Sequence, residues 1–562
     1  MNRLTGLFTR RALGSTILSI VAALGLCACD YSRYESGFPI ADRALRQVDT
    51  LDLADASTTR PTTQPVVTTV PSSRRADELL PPPPADIGIT IEECRQLALA
   101  NNLDLKVELF NPTIAKESIS EERARFESLF TASTNYTITD QATASSLENS
   151  QSKGLSTNLG VTVPLRTGGT LQFSLPVNRF ETNNSFSTLN PAYTSDFNAS
   201  ISQPLLRGAG LDVNAHGIRI ATYNYQSTQA RTKLQVISVL ADVDRIYWRV
   251  YAARQELRVR KKEYDLAVAQ LERARRQAKA GMLAEVDVVR AESGVADKLE
   301  GIITSETALR DRQRELKQII NRPDLGLATP TIIIPTSAPN ALHYPLDVPL
   351  LIRRAHDQRM ELLETEIQIA AETDNVSFAR NLLLPVVNLE YQYNISGLGK
   401  TVSDSFSTLR STRFQGHTVG LTVQVPIGNE AARSQLRRAL ATRLQTIATK
   451  DQRSLLIERE ILHAADELEA NWERILAAQR RVILAARVVD VETRQFEQQL
   501  RTSTDVLDAQ TRLANAQSAE ISAITEYQIA QIDIAFATGT LLGRAGVAWE
   551  PTSIGQSHGE AP

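Results

Sequence analysis

Aromatic residues make up 5% of the chain and charged residues 22%, and no single sign of charge prevails, the net being −3. That balance excludes the strongly basic face of a nucleic-acid binder. After the N-terminal segment the sequence lacks any run of about 18 apolar residues, which excludes a membrane-spanning helix. A chain of this kind reaches a membrane only through an attached lipid or as a β-barrel. Catalytic signatures are also missing. The six histidines, His216, His343, His356, His417, His463 and His558, are scattered without metal-ligand spacing. Gly208-Ala209-Gly210 lacks the third glycine and the acidic residue of a dinucleotide site and reads as a turn. With no phosphate loop and no nucleophile elbow, no catalytic residue, metal site or cofactor is expected. What the sequence has in quantity is long Ala-, Arg-, Glu-, Leu- and Gln-rich stretches, which favour extended helices over a compact α/β core.

The N-terminus carries Arg3, Arg10 and Arg11 ahead of an apolar run from Ala12 to Leu26. This is the layout of a signal peptide over 1–28. The run ends Leu26-Cys27-Ala28-Cys29, a bacterial lipobox in which Cys29 becomes the lipid-bearing (palmitate-type) first residue. Asp30 follows directly, at a position some enteric bacteria read in lipoprotein sorting. Cleavage would leave Cys94 as the one free thiol, so no intramolecular disulfide is expected. Residues 29–88 read as an extended tether, with Pro61, Pro65 and the run Pro81 to Pro84.

From Ile89 the chain repeats itself. Ala124-Arg125-Phe126 aligns with Ala379-Arg380-Asn381, and Tyr136 with Tyr391, at an offset of 255. Asp287-Val288-Val289-Arg290-Ala291-Glu292 aligns with Asp505-Val506-Leu507-Asp508-Ala509-Gln510 at an offset of 218. Two tandem units result, 89–325 and 345–543, followed by a tail over 544–562. Each reads helix, strands, then two long helices. The strands, about 129–206 and 385–426, alternate with period two: Phe130, Ala132, Thr134, Tyr136 and Ile138 in one copy, Val419, Leu421, Val423 and Val425 in the other. Such strands fit a lipid-facing wall or a soluble sandwich. The helical runs, about 212–321 and 430–542, each break once, near Gly281 and near Arg501. Ile237, Leu240, Val243, Tyr247, Val250 and Leu257 keep coiled-coil spacing. The first copy holds 33 more residues between its strands than the second. There Leu159, Val161 and Val163 alternate, then Arg166-Thr167-Gly168-Gly169 offers a turn, then Leu171, Phe173, Leu175 and Val177 alternate. This added hairpin joins the wall or stands outside it as a flap; Pro164 and Pro176 argue against a ladder.

These residues resemble the TolC family of outer-membrane efflux proteins over roughly Ile89 to Gly543. Ile91 to Leu105 is similar to the family's first helix, and Gln203 to Gly208 and Val425 to Gly428 to its barrel-to-helix junctions. Thr504-Asp505-Val506-Leu507-Asp508-Ala509-Gln510 is the strongest motif, and Ala537-Thr538-Gly539-Thr540-Leu541-Leu542 is similar to the closing helix end. The resemblance implies an α+β membrane protein: a homotrimer forming one transmembrane β-barrel on an α-helical coiled-coil tunnel in the periplasm. It implies a passive duct of a tripartite efflux or type I secretion system. Its partners would be a periplasmic adaptor, an inner-membrane transporter and outer-membrane lipid. The runner-up is a lipid-anchored periplasmic coiled-coil scaffold without a channel.

The resemblance also implies site residues. Gly281, Met282, Leu283 and Ala284 match the adaptor-facing tip, where the second copy has Gln499. Asp505 and Asp508, three apart on a helix face, match an acidic ring at the narrow mouth. After Thr502-Ser503-Thr504 they could instead be helix-capping acids, but the motif match favours the ring. Asp287 and Arg501 match linking positions that hold the gate, and Phe496 stands where a linking tyrosine is often found.

Overall fold

The computed structural model describes residues 86–143, 150–282, 284–498 and 500–547. Two compact units divide the chain. Val70–Gly546 holds nearly all that is described; the other, Met1–Thr69 with Val547–Pro562, falls outside the described residues except for Val547. The signal segment, Cys29 and nearly all of the tether therefore lie outside them, as do Leu283 and Gln499.

The first copy opens with β1 (Ile87–Ile89) and three helices, α1 (Ile91–Asn101), α2 (Leu103–Glu108) and α3 (Phe110–Ala124). Thr90 starts α1 through a capping box with Glu93, which satisfies two otherwise orphaned backbone N–H groups. Four strands follow: β2 (Leu129–Asp140), β3 (Gln151–Pro164), β4 (Thr170–Thr182) and β5 (Ala192–Pro204). A short α4 (Leu211–Asn214) leads into the long pair α5 (His216–Lys279) and α6 (Glu285–Ile320). The link to the second copy holds β6 (Ile333–Pro335). That copy runs α7 (Val348–Gln358), α8 (Met360–Asn381), β7 (Val386–Gly399), α9 (Val402–Arg410), β8 (Gln415–Gln424), then α10 (Glu430–Glu497) and α11 (Ser503–Ala537), closing on α12 (Leu541–Ala545). Helix, strands and paired long helices thus recur in the order the repeats predict. At 64 residues, α5 is about 96 Å long.

Strands from both copies form one six-stranded antiparallel sheet in the order β2-β3-β4-β5-β7-β8. The added hairpin, β3 and β4, stands inside it, paired to β2 on one side and β5 on the other. Of the two places open to it, wall or flap, the hairpin takes the wall, and its prolines are accommodated. Pro164 occupies the last rung between β3 and β4, where a missing N–H costs little. Pro176 sits mid-strand, and the β4–β5 register lapses at Leu175 and Pro176 while the β3–β4 register continues across them. The damage is one interrupted rung, outweighed by the rest of the strand. The hairpin's turn is also tied to the strand-to-helix junction. Thr167 Oγ1 donates to Gln203 Oε1 at 2.8 Å, and the Gly210 N–H donates to the Thr167 carbonyl at 3.1 Å.

The helical body is built around α5, which packs against α1, α3, α6, α8 and α11. Its coiled-coil positions Ile237, Leu240, Val243, Tyr247, Val250 and Leu257 are all buried. A second core lies along α10 and α11, from Ile457 and Ile461 to Tyr527 and Ile534. β1 and β6 pair in parallel and dock on α5 through Tyr247, whose hydroxyl donates to the Ile89 carbonyl and accepts from the Ser337 N–H. Arg95 of α1 forks onto Asp244 of α5 with two bonds of 2.8 Å. Among the described residues, no helix is long and apolar enough to cross a membrane.

Candidate functional site

The sheet register sorts side chains onto two faces. One face carries Phe130 and Tyr136, Leu155, Leu159 and Val161, Phe173 and Val177, Phe197 and Ile201, Leu389, Tyr391 and Tyr393, and Val419, Leu421 and Val423. The opposite face carries Thr, Ser, Asn and Gln, with Asp196 and Glu390 as its only charged strand residues. Polar side chains there bridge strand to strand: Ser156 donates to Asn178 at 2.6 Å, Asn178 to Thr194 at 3.2 Å, and Asn388 to Ser202 at 2.8 Å. Among the described residues the sole helix laid on this sheet is α9, against β5 and β7. Phe130, Tyr136, Ile138, Val419, Leu421 and Val423 are consequently exposed. A sandwich would bury that face under a second layer; here, among the described residues, no second sheet covers it, and α9 covers only one end of β5 and β7. Both edge strands, β2 and β8, have one unpaired side, and they run in opposite directions because the strand count is even.

The two long hairpins end in related turns. At the first, Gly281 adopts φ +74 and the Met282 N–H donates to the Gln277 carbonyl, the Schellman closure of α5. At the second, the Leu500 N–H donates in the same way to Gln495, so the two tips share their closing bond although glycine is present in only one. Each presents an apolar side chain at the following position, Met282 at 63% exposure and Leu500 at 70%. Ala284 precedes α6 without a side-chain cap.

Asp505 serves the helix end. Thr502 caps α11, and the Asp505 carboxylate accepts from the Thr502 backbone N–H at 2.9 Å and from its hydroxyl at 2.8 Å. Those bonds, the backbone one foremost, hold Asp505 below the usual carboxylate range. Asp508 is exposed and free of that cap. Within one chain Arg501 does not meet Asp287. Arg501 reaches Glu492 at 3.3 Å and Gln495 at 3.1 Å, while Asp287 takes Arg290 at 3.3 Å. Phe496 is 2% exposed, packed inside its own hairpin. The start of α11 is fixed to the first hairpin by Gln270 to Ser503 and by Lys298 to Thr511, with Lys298 also on the buried Glu263 at 2.6 Å. Sequence reading missed this anchorage, whose partners lie over 200 residues apart. It also missed α9, although Val402, Phe406 and Leu409 keep helical spacing.

With both faces and both tips in place, the likeness to known proteins is specific. The model of the family described as Outer membrane efflux protein matches residues 170–322 and 351–540, more than half of the chain. The chain belongs to that family. The Outer membrane protein TolC of Vibrio cholerae is 23% identical over 333 residues, covering 59% of this chain and 73% of the relative. Among solved structures, CusC, studied for transmembrane channel formation, superposes with a TM-score of 0.61 at 14% identity, covering 80% of this chain and 92% of its own. The Campylobacter jejuni CmeC outer membrane channel gives 0.61 at 14% identity, over 82% of this chain and 86% of its own. At such identities these two establish the fold: a helical body carrying an antiparallel sheet, as in outer-membrane channels. The family is one of efflux proteins and not of enzymes.

Proposed function

We propose that this chain is an outer-membrane efflux channel that works as a homotrimer. The observation that carries the reading is the sheet: a mostly uncovered apolar face, a nearly uncharged polar face, and two free edges of opposite direction. The free side of β8 on one copy can pair antiparallel with β2 on the next, closing a ring without residual edges. Three copies give eighteen strands, apolar outward to lipid and polar inward to a wet pore. The long hairpins continue the pore as a periplasmic tunnel. The duct is passive; an inner-membrane transporter supplies the energy and a periplasmic adaptor docks at the tips, where Met282 and Leu500 offer apolar contacts. Cys29 carries the lipid. The soluble-scaffold reading leaves the uncovered apolar wall without a solvent.

Asp508 is the better half of the gate ring, since Asp505 is committed to its cap. With Asp287 and Arg501 each paired inside one chain and Phe496 buried, any link between neighbouring copies competes with these contacts. The gate then rests less tightly shut than one held by a dedicated hydroxyl. The test is reconstitution in planar bilayers with native mass spectrometry in detergent. Trimeric mass and discrete conductance steps are expected. Asp505→Asn with Asp508→Asn is expected to lower cation selectivity, and Arg501→Ser to raise conductance. A monomer that washes off membranes with carbonate overturns the channel; normal selectivity in the double variant leaves Asp505 to its cap and removes the gate role from both aspartates.

A further inference from the structure

The sheet's outer face is not bulky throughout. Along β5 and β7 it runs Ile201, Ala199, Phe197 and Tyr391, Tyr393, Ile395, then shrinks to Ser195 opposite Gly397 and Tyr193 opposite Gly399. Helix α9 lies in that notch. The Ser195 and Ser405 hydroxyls meet at 2.7 Å and both residues are fully buried. A Cβ on Gly397 would collide with the Ser405 carbonyl and with Leu409, and one on Gly399 with the backbone at Asp404 and Ser405. Only glycine lets the helix sit so close to the strand. The same rungs bring the first charges of this face, Arg179 opposite Tyr193 and Lys153 opposite Glu181. Helix α9 therefore lies at the height where the apolar wall gives way to charge, and on its apolar side.

Its own sequence matches that height. Val402, Phe406 and Leu409 share one arc of the helix, with Ser403, Ser407 and Arg410 on another. Val402, Phe406 and the nearby Phe414 remain exposed beside the wall. Lys400 precedes the helix, Arg410 ends it and Arg413 follows, all three exposed. Among the described residues none of the three is in an ion pair; Arg413 lies over the Phe414 ring at 5.7 Å. A helix with an apolar arc and flanking free cations, continuous with a lipid-facing wall, suits the plane of a membrane interface. Guanidinium groups there meet phosphate oxygens two at a time.

We propose that α9, with Lys400, Arg410 and Arg413, binds the phosphate-bearing headgroups of outer-leaflet lipid and fixes the barrel's depth at that surface. The proposal rests on the channel reading above. Its test uses the full chain in mixed micelles with diphosphorylated lipid A or the same lipid dephosphorylated, retention being read by native mass spectrometry. Phosphorylated lipid should stay bound, and Lys400→Gln with Arg410→Gln and Arg413→Gln should cut retention on the order of a hundredfold, the effect of removing three surface cations. Dephosphorylated lipid should bind the unaltered protein as weakly as the variant binds the phosphorylated form, and millimolar inorganic phosphate should not compete. Equal retention by the variant, equal binding of both lipids, or displacement by inorganic phosphate overturns the assignment. Trimer mass and conductance, measured on both proteins, separate the failures. If both proteins form conducting trimers and retention is unchanged, α9 is wrongly assigned; if neither does, the channel reading falls and takes this one with it.

Discussion

Helices α5 and α10 occupy equivalent places in the two copies yet are used differently. Of the 64 residues of α5, 21 are buried; of the 68 of α10, 10 are. Helix α5 packs against α1, α3, α6, α8 and α11, whereas α10 touches α7, α8 and α11 and leaves an apolar stripe uncovered. Leu455, Leu462, Leu476 and Ile483 recur at sevens and fourteens, joined by Leu484, Val488 and Val491. That is a coiled-coil seam without a partner in its own chain. Of the two repeated hairpins, one forms the protomer's core; in the trimer proposed above, the other is its border with the next copy.

The sharpest way to break this comparison is to charge the seam. Leu455→Glu with Leu476→Glu should abolish the trimer in native mass spectrometry while helix content by circular dichroism stays unchanged. A trimer that survives would place the border elsewhere. Leu240→Ala in α5 should act the opposite way, costing the protomer roughly 2–5 kcal/mol in denaturant unfolding through the cavity it leaves.

The ion pairs repeat the contrast. Asp244 is 1% exposed, so Arg95→Met strands a buried carboxylate and should cost about 3–5 kcal/mol. In the second copy Arg359 reaches Glu460 at 2.9 Å, but the Glu460 side chain is 47% exposed. Glu460→Gln should therefore cost under about 1 kcal/mol. Equal losses in the two variants would remove the distinction.

The tips differ under acid. Asp505 titrates below its ordinary range because the charged form is held by Thr502. The stabilisation it gives is complete above the ordinary carboxylate pKa and disappears as pH falls through the depressed value. Helix α6, starting at Ala284 without a side-chain cap, has no such contact to lose. Hydrogen exchange, corrected for intrinsic rates, should show the first turn of α11 loosening between neutral pH and pH about 3 by more than that of α6. The smallest effect expected is at Cys94. Burial, aided by Glu93 and Asp244, pushes its thiol up to about 12. In a Cys29→Ser chain a maleimide should leave Cys94 unlabelled until denaturant is added.

What the sequence made legible was local or repeated. The period of two along Val419 to Val425, the repeat offsets and the glycine that closes α5 all follow from short-range chemistry. Thr502 and Asp505 carried a capping signal beside the motif that was preferred, and the cap is present in the folded chain. Long-range choices were not legible. The added hairpin could be recognised from its alternation and turn, but its place depends on what β2 and β5 offer as partners. Pro176 argued against a ladder, yet it interrupts the β4–β5 register only at Leu175 and Pro176. Arg95 and Asp244 are 149 positions apart, beyond any spacing rule. Arg501 was matched to Asp287 by motif, yet Glu492 is closer across the turn. Helix α9 escaped notice because Ser and Thr fill four of its nine positions, diluting a three-residue apolar signal.

The extra hairpin sets a rule for how such a wall can grow. In the ring proposed above, adding two strands to each copy leaves β2 and β8 antiparallel to each other across the seam, so the ring would still close. Adding one strand would turn one edge around, and every seam would have to pair in parallel or stay open. Widening therefore comes in units of a hairpin, six strands at a time in a threefold ring. Going from four strands per copy to six, the diameter of such a ring would rise roughly by half. In the proposed ring the hairpin asks for no new contact between copies, because it stands in the middle of the sheet and leaves both borders to β2 and β8.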